Sequence, residues 1–151
     1  MTPQNISLLI AELRRDEGVR YDEYLDSKGI PTTGCGHNLR VRPLPAGWTF
    51  PLTDPQVDQL LSGDLGSTFA GLDADIQWWK QLDDVRQRVL ANMAYNLGVS
   101  GLMTFHNMLG ATQRGAYAVA AAAMRASAWY SEVGQRAVRL CEAMETGVMP
   151  A

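Results

Sequence analysis

Three short runs decide how this chain is read: Asp16-Glu17-Gly18, then Leu25-Asp26, then Gly29-Ile30-Pro31-Thr32-Thr33-Gly34-Cys35-Gly36-His37. Ahead of the first, Thr2-Pro3 has the form of a helix start, a hydroxyl cap followed by proline at the first helical position. Ile6, Leu9, Ile10 and Leu13 then recur at helical spacing. Gly18 is a natural stop, because glycine can take the left-handed conformation that closes a helix. Glu17 therefore falls at the C-terminal end of that helix. From Val19 to His37 the character changes. Tyr21, Tyr24 and Leu25 suit a strand, and Asp26-Ser27-Lys28-Gly29 has the composition of a turn. Ile30-Pro31-Thr32-Thr33 resumes an extended stretch, its proline marking a sheet edge. Gly34-Cys35-Gly36 is flexible backbone. The segment reads as a small antiparallel hairpin or three-stranded sheet, too small to stand alone.

Further out, Asn38 to Pro51 carries Pro43, Pro45, Pro51 and Gly47 and reads as a long loop, with Trp48 and Phe50 packing it down. Thr53-Asp54-Pro55-Gln56 starts a helix, Thr53 as cap and Gln56 placed for a capping box. Val57, Leu60, Leu61, Leu65, Phe69, Leu72 and Ile76 keep helical spacing, while Gly63, Gly66 and Gly71 predict a bend or break. Val85, Val89, Leu90, Met93 and Leu97 line one face of a further helix that Gly98 ends. A short helical piece follows around Leu102 to Leu109. The alanine-rich run Ala116 to Ala126 and a last helix from Val133 to Met144 complete the chain. The expected fold is α+β, one domain over residues 1–151. A small β lobe at about 18–52 and a helical lobe at about 78–151 plus the N-terminal helix are joined by a long helix, with a cleft between them.

The chain has 151 residues, enough to bury a core without staples. Hydrophobic residues at 46% and charged residues at 19% exclude a disordered chain. A net charge of −3 argues against general nucleic-acid binding. Attraction of an anionic partner would fall to local basic patches. Arg40 with Arg42, and Arg136 with Arg139, are candidates, scattered solvated arginines being the alternative. Cys35 and Cys141 lie far apart in sequence and read as free thiols, in keeping with a reducing cytoplasm. Met1-Thr2-Pro3-Gln4-Asn5 does not have the form of a signal peptide, and no window approaches a membrane span. The protein is expected to be monomeric, without stable membrane association. No cofactor or metal is implied, since neither histidine has a partner at ligand spacing.

Glu17 and Asp26 are separated by eight residues, one on a helix end and one on a hairpin turn. A chain that leaves a helix, runs along one strand and turns can set two carboxylates facing across a groove. That is the equipment for general acid–base cleavage of a glycosidic bond. The partial negative charge of a helix C-terminus favours a protonated Glu17, partial burial adds to this, and a nearby arginine would oppose it. Asp26 on an exposed turn suits the ionised role, and the Thr32 hydroxyl on the returning strand could hold a water with it. Taken singly, each carboxylate is more often a solvated charge or a turn residue; the combination carries the argument.

That combination resembles the active-site segment of phage-type lysozymes, glycoside hydrolase family 24: a Glu, eight residues, an Asp, five residues, a Thr, then Gly-x-Gly-His. The resemblance continues through Leu82-Asp83-Asp84-Val85-Arg86 and Asn92-Met93-Ala94-Tyr95-Asn96-Leu97-Gly98, which look like the family's central helix. Gly101 to Leu109, Trp129-Tyr130, Arg136-Ala137 and Thr146-Gly147 also fall in family order. The resemblance implies a muramidase acting on bacterial peptidoglycan for host-cell lysis. Glu17 would be the proton donor, Asp26 would activate water with Thr32, and the course would be inverting. Arg136 would neighbour Glu17 from the helical lobe, and His37 would pair structurally with Asp64. Tyr95 and Asn38 would be cleft residues, and Met108 either a cleft or a core residue. The resemblance further implies accumulation in the host cytoplasm and release to the cell wall through a separate pore-forming protein, a holin. A lytic transglycosylase, and an inactive wall-binding or virion module, are the competing readings.

Overall fold

The computed structural model describes residues 1–151. Helix α1 (Pro3–Glu17) leads into a three-stranded antiparallel sheet, β1 (Arg20–Leu25), β2 (Pro31–Gly34) and β3 (His37–Asn38). Then come α2 (Asp54–Asp75), a 3-10 turn (Trp79–Gln81), and α3 (Asp84–Leu97), α4 (Val99–Met103), α5 (His106–Gln113), α6 (Tyr117–Arg125), α7 (Ala128–Val133) and α8 (Gln135–Thr146). This is the α+β, lysozyme-like arrangement of many helices and one small sheet. The chain divides into two compact units: residues 6–67, and residues 1–5 with 68–151. No helix is long and apolar enough to cross a membrane.

In the unit of residues 6–67, β2 is central. Arg20 pairs with Gly34, Tyr24 with Thr32 and Leu25 with Pro31, with an irregularity between Arg20 and Tyr24; Thr32 pairs onward with Asn38, and Thr33 with His37. The Cys35 thiol reaches the Leu13 carbonyl at 3.7 Å, tying the turn after β2 to α1. The long loop packs down through Leu44 and Trp48, which with Val19 cover buried Leu52, Val57 and Leu60. At the start of α2 the Thr53 amide donates to Gln56 Oε1 at 2.9 Å and the Gln56 amide to Thr53 Oγ1 at 3.3 Å, a reciprocal cap.

The glycines of α2 do not break it: the helix runs unbroken from Asp54 to Asp75. A helical glycine costs about 1 kcal/mol, and burial of Val57, Leu61, Leu65 and Leu72 outweighs it. Gly71 has a packing reason, because a Cβ there would stand 2.8 Å from the Val99 side chain. Only a residue without a side chain lets α4 approach so closely.

In the second unit, α3 is buried without interruption from Gln87 to Ala94, as expected of a helix at the centre of a helical core. Its polar members are satisfied from outside the helix: Arg88 donates to Asn5 Oδ1 at 2.6 Å, and Gln87 Nε2 donates to the carbonyls of Lys80 and Leu82. Arg86 donates to the terminal carbonyls of α8 at Met144 and Glu145, and its guanidinium lies 3.5 Å from the Tyr117 ring centroid. A cation at a helix C-terminus is favourable. The last expected helix begins two residues late, at Gln135, because Gly134 with φ 69° separates it from α7. Cys35 and Cys141 are buried thiols outside any disulfide; burial pushes the Cys141 thiol up to about 11. Leu90 on α3 is fully buried. Leu90→Ala is expected to cost about 3 kcal/mol, by lost transfer energy plus the cavity left behind, measured by urea unfolding.

Candidate active site

The turns of the sheet unit's backbone place three polar side chains, Glu17, Asp26 and Thr32. Glu17 is the last residue of α1 and is half-buried. Its carboxylate lies against the turn between β2 and β3: a Cβ built at Gly36 would stand 3.0 Å from Glu17 Oε2 and 3.3 Å from its Cδ. Asp26 follows β1 directly. Its Oδ1 accepts from the amides of Lys28 at 2.8 Å and Ile30 at 2.9 Å, while its own amide donates to the Ile30 carbonyl at 3.0 Å. The turn thereby clamps one carboxylate oxygen and leaves Oδ2 for other work. Thr32, on β2 and almost fully buried, donates its hydroxyl proton to the Ile30 carbonyl at 2.8 Å. With its proton committed there, Thr32 Oγ1 can only accept from a further partner such as a water.

Tyr24 joins this group, and sequence reasoning treated it only as a strand residue. It pairs with Thr32 across the sheet, and cross-strand partners share a face. The Arg20 guanidinium lies 4.2 Å from its ring centroid. Burial raises the Tyr24 phenol above its ordinary pKa, with the Glu17 charge and, more weakly, that of Asp26 adding to it against Arg20. Glu17 and Asp26 thus act electrostatically on one phenol. The signal in the sequence was positional only: Tyr24 stands near the end of the strand that delivers Asp26.

His37 Nδ1 lies 2.7 Å from Asp64 Oδ2 and Nε2 lies 2.7 Å from the Arg42 carbonyl. Both partners are acceptors, so both bonds exist together only when both nitrogens carry protons. Burial, the largest single influence, pushes the imidazolium down; the Asp64 hydrogen bond, the Arg42 carbonyl and the Asp64 charge together outweigh it, and the His37 pKa is raised. The sign follows. Stability from this pair is fully present below the unfolded value of about 6.5 and is lost as pH rises through the higher folded value. An NMR titration is expected to give His37 a midpoint above 6.5, its ordinary value, and Asp64→Asn is expected to lower it. A midpoint that does not move would remove Asp64 as the cause.

The remaining candidates have the following neighbours within their own units. Asn38 Oδ1 accepts from the amides of Arg40 at 2.9 Å and Val41 at 3.1 Å, shaping the start of the loop. In the helical unit Arg136 is buried, its Nε donating to Asn92 Oδ1 at 2.8 Å. Tyr95 is half-buried on α3. Met108 is 1% exposed and packs in the core beside Thr112. It also lines an open cavity of about 450 Å³ with Phe105, Ser127 and Trp129, and none of Glu17, Asp26 or Thr32 lines that cavity. No group of three or more His, Cys, Asp or Glu side chains is arranged to hold a metal ion.

The arrangement suits acid–base chemistry: one carboxylate against a glycine backbone, a second held by amides with one oxygen spare, and a hydroxyl oriented to accept. Comparison with known proteins bears on which reaction. The sequence profile described as phage lysozyme matches residues 14–142. The chain is 32% identical to the pre-baseplate central spike protein Gp5 of Enterobacteria phage T4, over 97% of this chain and 29% of that protein. It is 25% identical to probable T4-type lysozyme 1 of Dictyostelium discoideum, over 92% and 94% of the two chains. It is 30% identical to the endolysin of Salmonella phage P22, over 60% and 61%. The chain thus spans under a third of the spike protein but nearly the whole of the Dictyostelium relative.

Proposed function

The chain belongs to the phage lysozyme family, and we propose that it hydrolyses the β-1,4 bond between N-acetylmuramic acid and N-acetylglucosamine in bacterial peptidoglycan. The observation that carries this reading is the Asp26 carboxylate, whose Oδ1 is clamped by two backbone amides with Oδ2 left spare, on the same sheet unit as a half-buried Glu17 carboxylate. In the proposed reaction Glu17 gives its proton to the glycosidic oxygen as the bond to the anomeric carbon breaks. A water held by Asp26 Oδ2 and Thr32 Oγ1 adds to that carbon from the opposite face, and its proton passes to Asp26. Proton, water and leaving alcohol balance, and the anomeric centre inverts.

Thr32 orders the water. Its hydroxyl donates to the Ile30 carbonyl, so a water's hydrogen must point at Thr32 Oγ1, which turns the water's lone pair toward the sugar. Arg136 enters as a supporting residue, and Tyr95 and Asn38 as sugar contacts, on the family resemblance. The same reading has the protein act as a monomer reached by its substrate after a separate pore-forming holin opens the inner membrane. The likeness to a central spike protein supports a second setting, the same chemistry within a particle-borne assembly. A turbidity assay on outer-membrane-permeabilised cells tests the activity without the delivery step. Clearing with release of reducing ends is expected; peptidoglycan binding with no clearing would favour an inactive wall-binding module.

A further inference from the structure

The geometry points to Gly36 as a positioning residue for the general acid: the missing side chain at this position is what lets the Glu17 carboxylate take its working place. The inference rests on the reading of Glu17 as proton donor. Gly36 sits in the turn between β2 and β3 with φ +69°. Two separate demands meet there. The backbone lies in the left-handed region that L side chains rarely adopt. Independently, the three atoms nearest to a Cβ there all belong to Glu17: Oε2 at 3.0 Å, Cδ at 3.3 Å and Cγ at 3.6 Å.

The two demands have different consequences. Backbone strain lowers stability and would do so at any turn. Crowding of Oε2 is relieved cheaply, because Oε2 is the far end of a flexible side chain and can move by a few tenths of an ångström. That relief is cheap for the fold and costly for the reaction: a misplacement of about 1 Å can cost about a hundredfold in rate, and a few tenths of an ångström correspondingly several-fold. Gly34, two residues earlier, separates the effects. It has φ +61°, but its Cβ would meet only Val57, at an ordinary 3.6 Å.

The experiment compares Gly36→Ala, Gly36→Asn and Gly34→Ala with wild type, asparagine being included because it tolerates positive φ better than alanine does. Melting temperature, kcat and KM on soluble peptidoglycan fragments, and the ¹³C chemical shift of Glu17 Cδ in protein carrying [13Cδ]glutamate are read for each. Both Gly36 variants are expected to lose about 3- to 10-fold in kcat with KM little changed, and the Glu17 Cδ signal is expected to move. Gly34→Ala is expected to lower the melting temperature, with kcat within about twofold and the Glu17 Cδ signal unmoved. Gly36 variants that turn over within twofold of wild type, while Glu17→Gln is inactive, would overturn the inference and leave the acid assignment standing. An active Glu17→Gln would instead remove the reading on which it rests.

Discussion

Glu17→Gln is expected to abolish clearing of peptidoglycan, with turnover falling about 10³-fold or more, in a protein that melts as the wild type does. Glutamine has the shape of glutamate, so it fits against Gly36 as the carboxylate does. It has no acidic proton to give. General acid catalysis by a positioned group is worth about 10²–10⁴ in rate, and a sugar alkoxide is a poor leaving group without it. Steady-state release of reducing ends measures the loss, and thermal unfolding shows that the fold is not its cause. Near-normal turnover in this variant would sink the acid assignment.

Asp26→Asn is expected to remove nearly all activity, again without unfolding the hairpin. The Asp26 Oδ1 bonds to the amides of Lys28 and Ile30 can be made equally by the carbonyl oxygen of asparagine. The turn therefore keeps its shape, while the spare oxygen is replaced by an amide nitrogen that donates and cannot take a proton from water. Asp26→Ala should behave differently. It removes the acceptor that holds two amides, so it is expected to lower stability by about 1–2 kcal/mol as well as activity. The pair of variants separates the chemistry of Asp26 from its structural work; an Asp26→Asn protein as unstable as Asp26→Ala would contradict the account of the turn.

The parts of the site legible in the sequence are those with local signatures. A cap before a proline, a helical run and a glycine put Glu17 at a helix end; a turn composition put Asp26 at a hairpin tip; Thr53 and Gln56 marked the start of α2. What escaped depends on backbone acceptors and on neighbours distant in sequence. Nothing in the side-chain pattern announces that the Thr32 proton goes to the Ile30 carbonyl, or that the second nitrogen of His37 meets the Arg42 carbonyl. Gly71 read as a helix weakness until Val99 stood beside it. Gly36 read as flexible backbone, while in the structure it is the neighbour that leaves room for Glu17. Tyr24 was legible only by its place near the end of the strand that delivers Asp26, and became significant with Thr32 opposite it and Arg20 over its ring.

These residues make one claim about the reaction: Glu17 protonates the leaving oxygen while a water on Asp26 and Thr32 attacks the sugar from the other side. Cleavage of a defined glycan in H₂¹⁸O, with the products read at once by mass spectrometry and NMR, tests it directly. The account predicts one ¹⁸O in the anomeric hydroxyl of each new muramic acid end, in the inverted α configuration. Products ending in 1,6-anhydro-muramic acid without ¹⁸O would contradict it, because the attacking oxygen would then have come from the sugar and not from water.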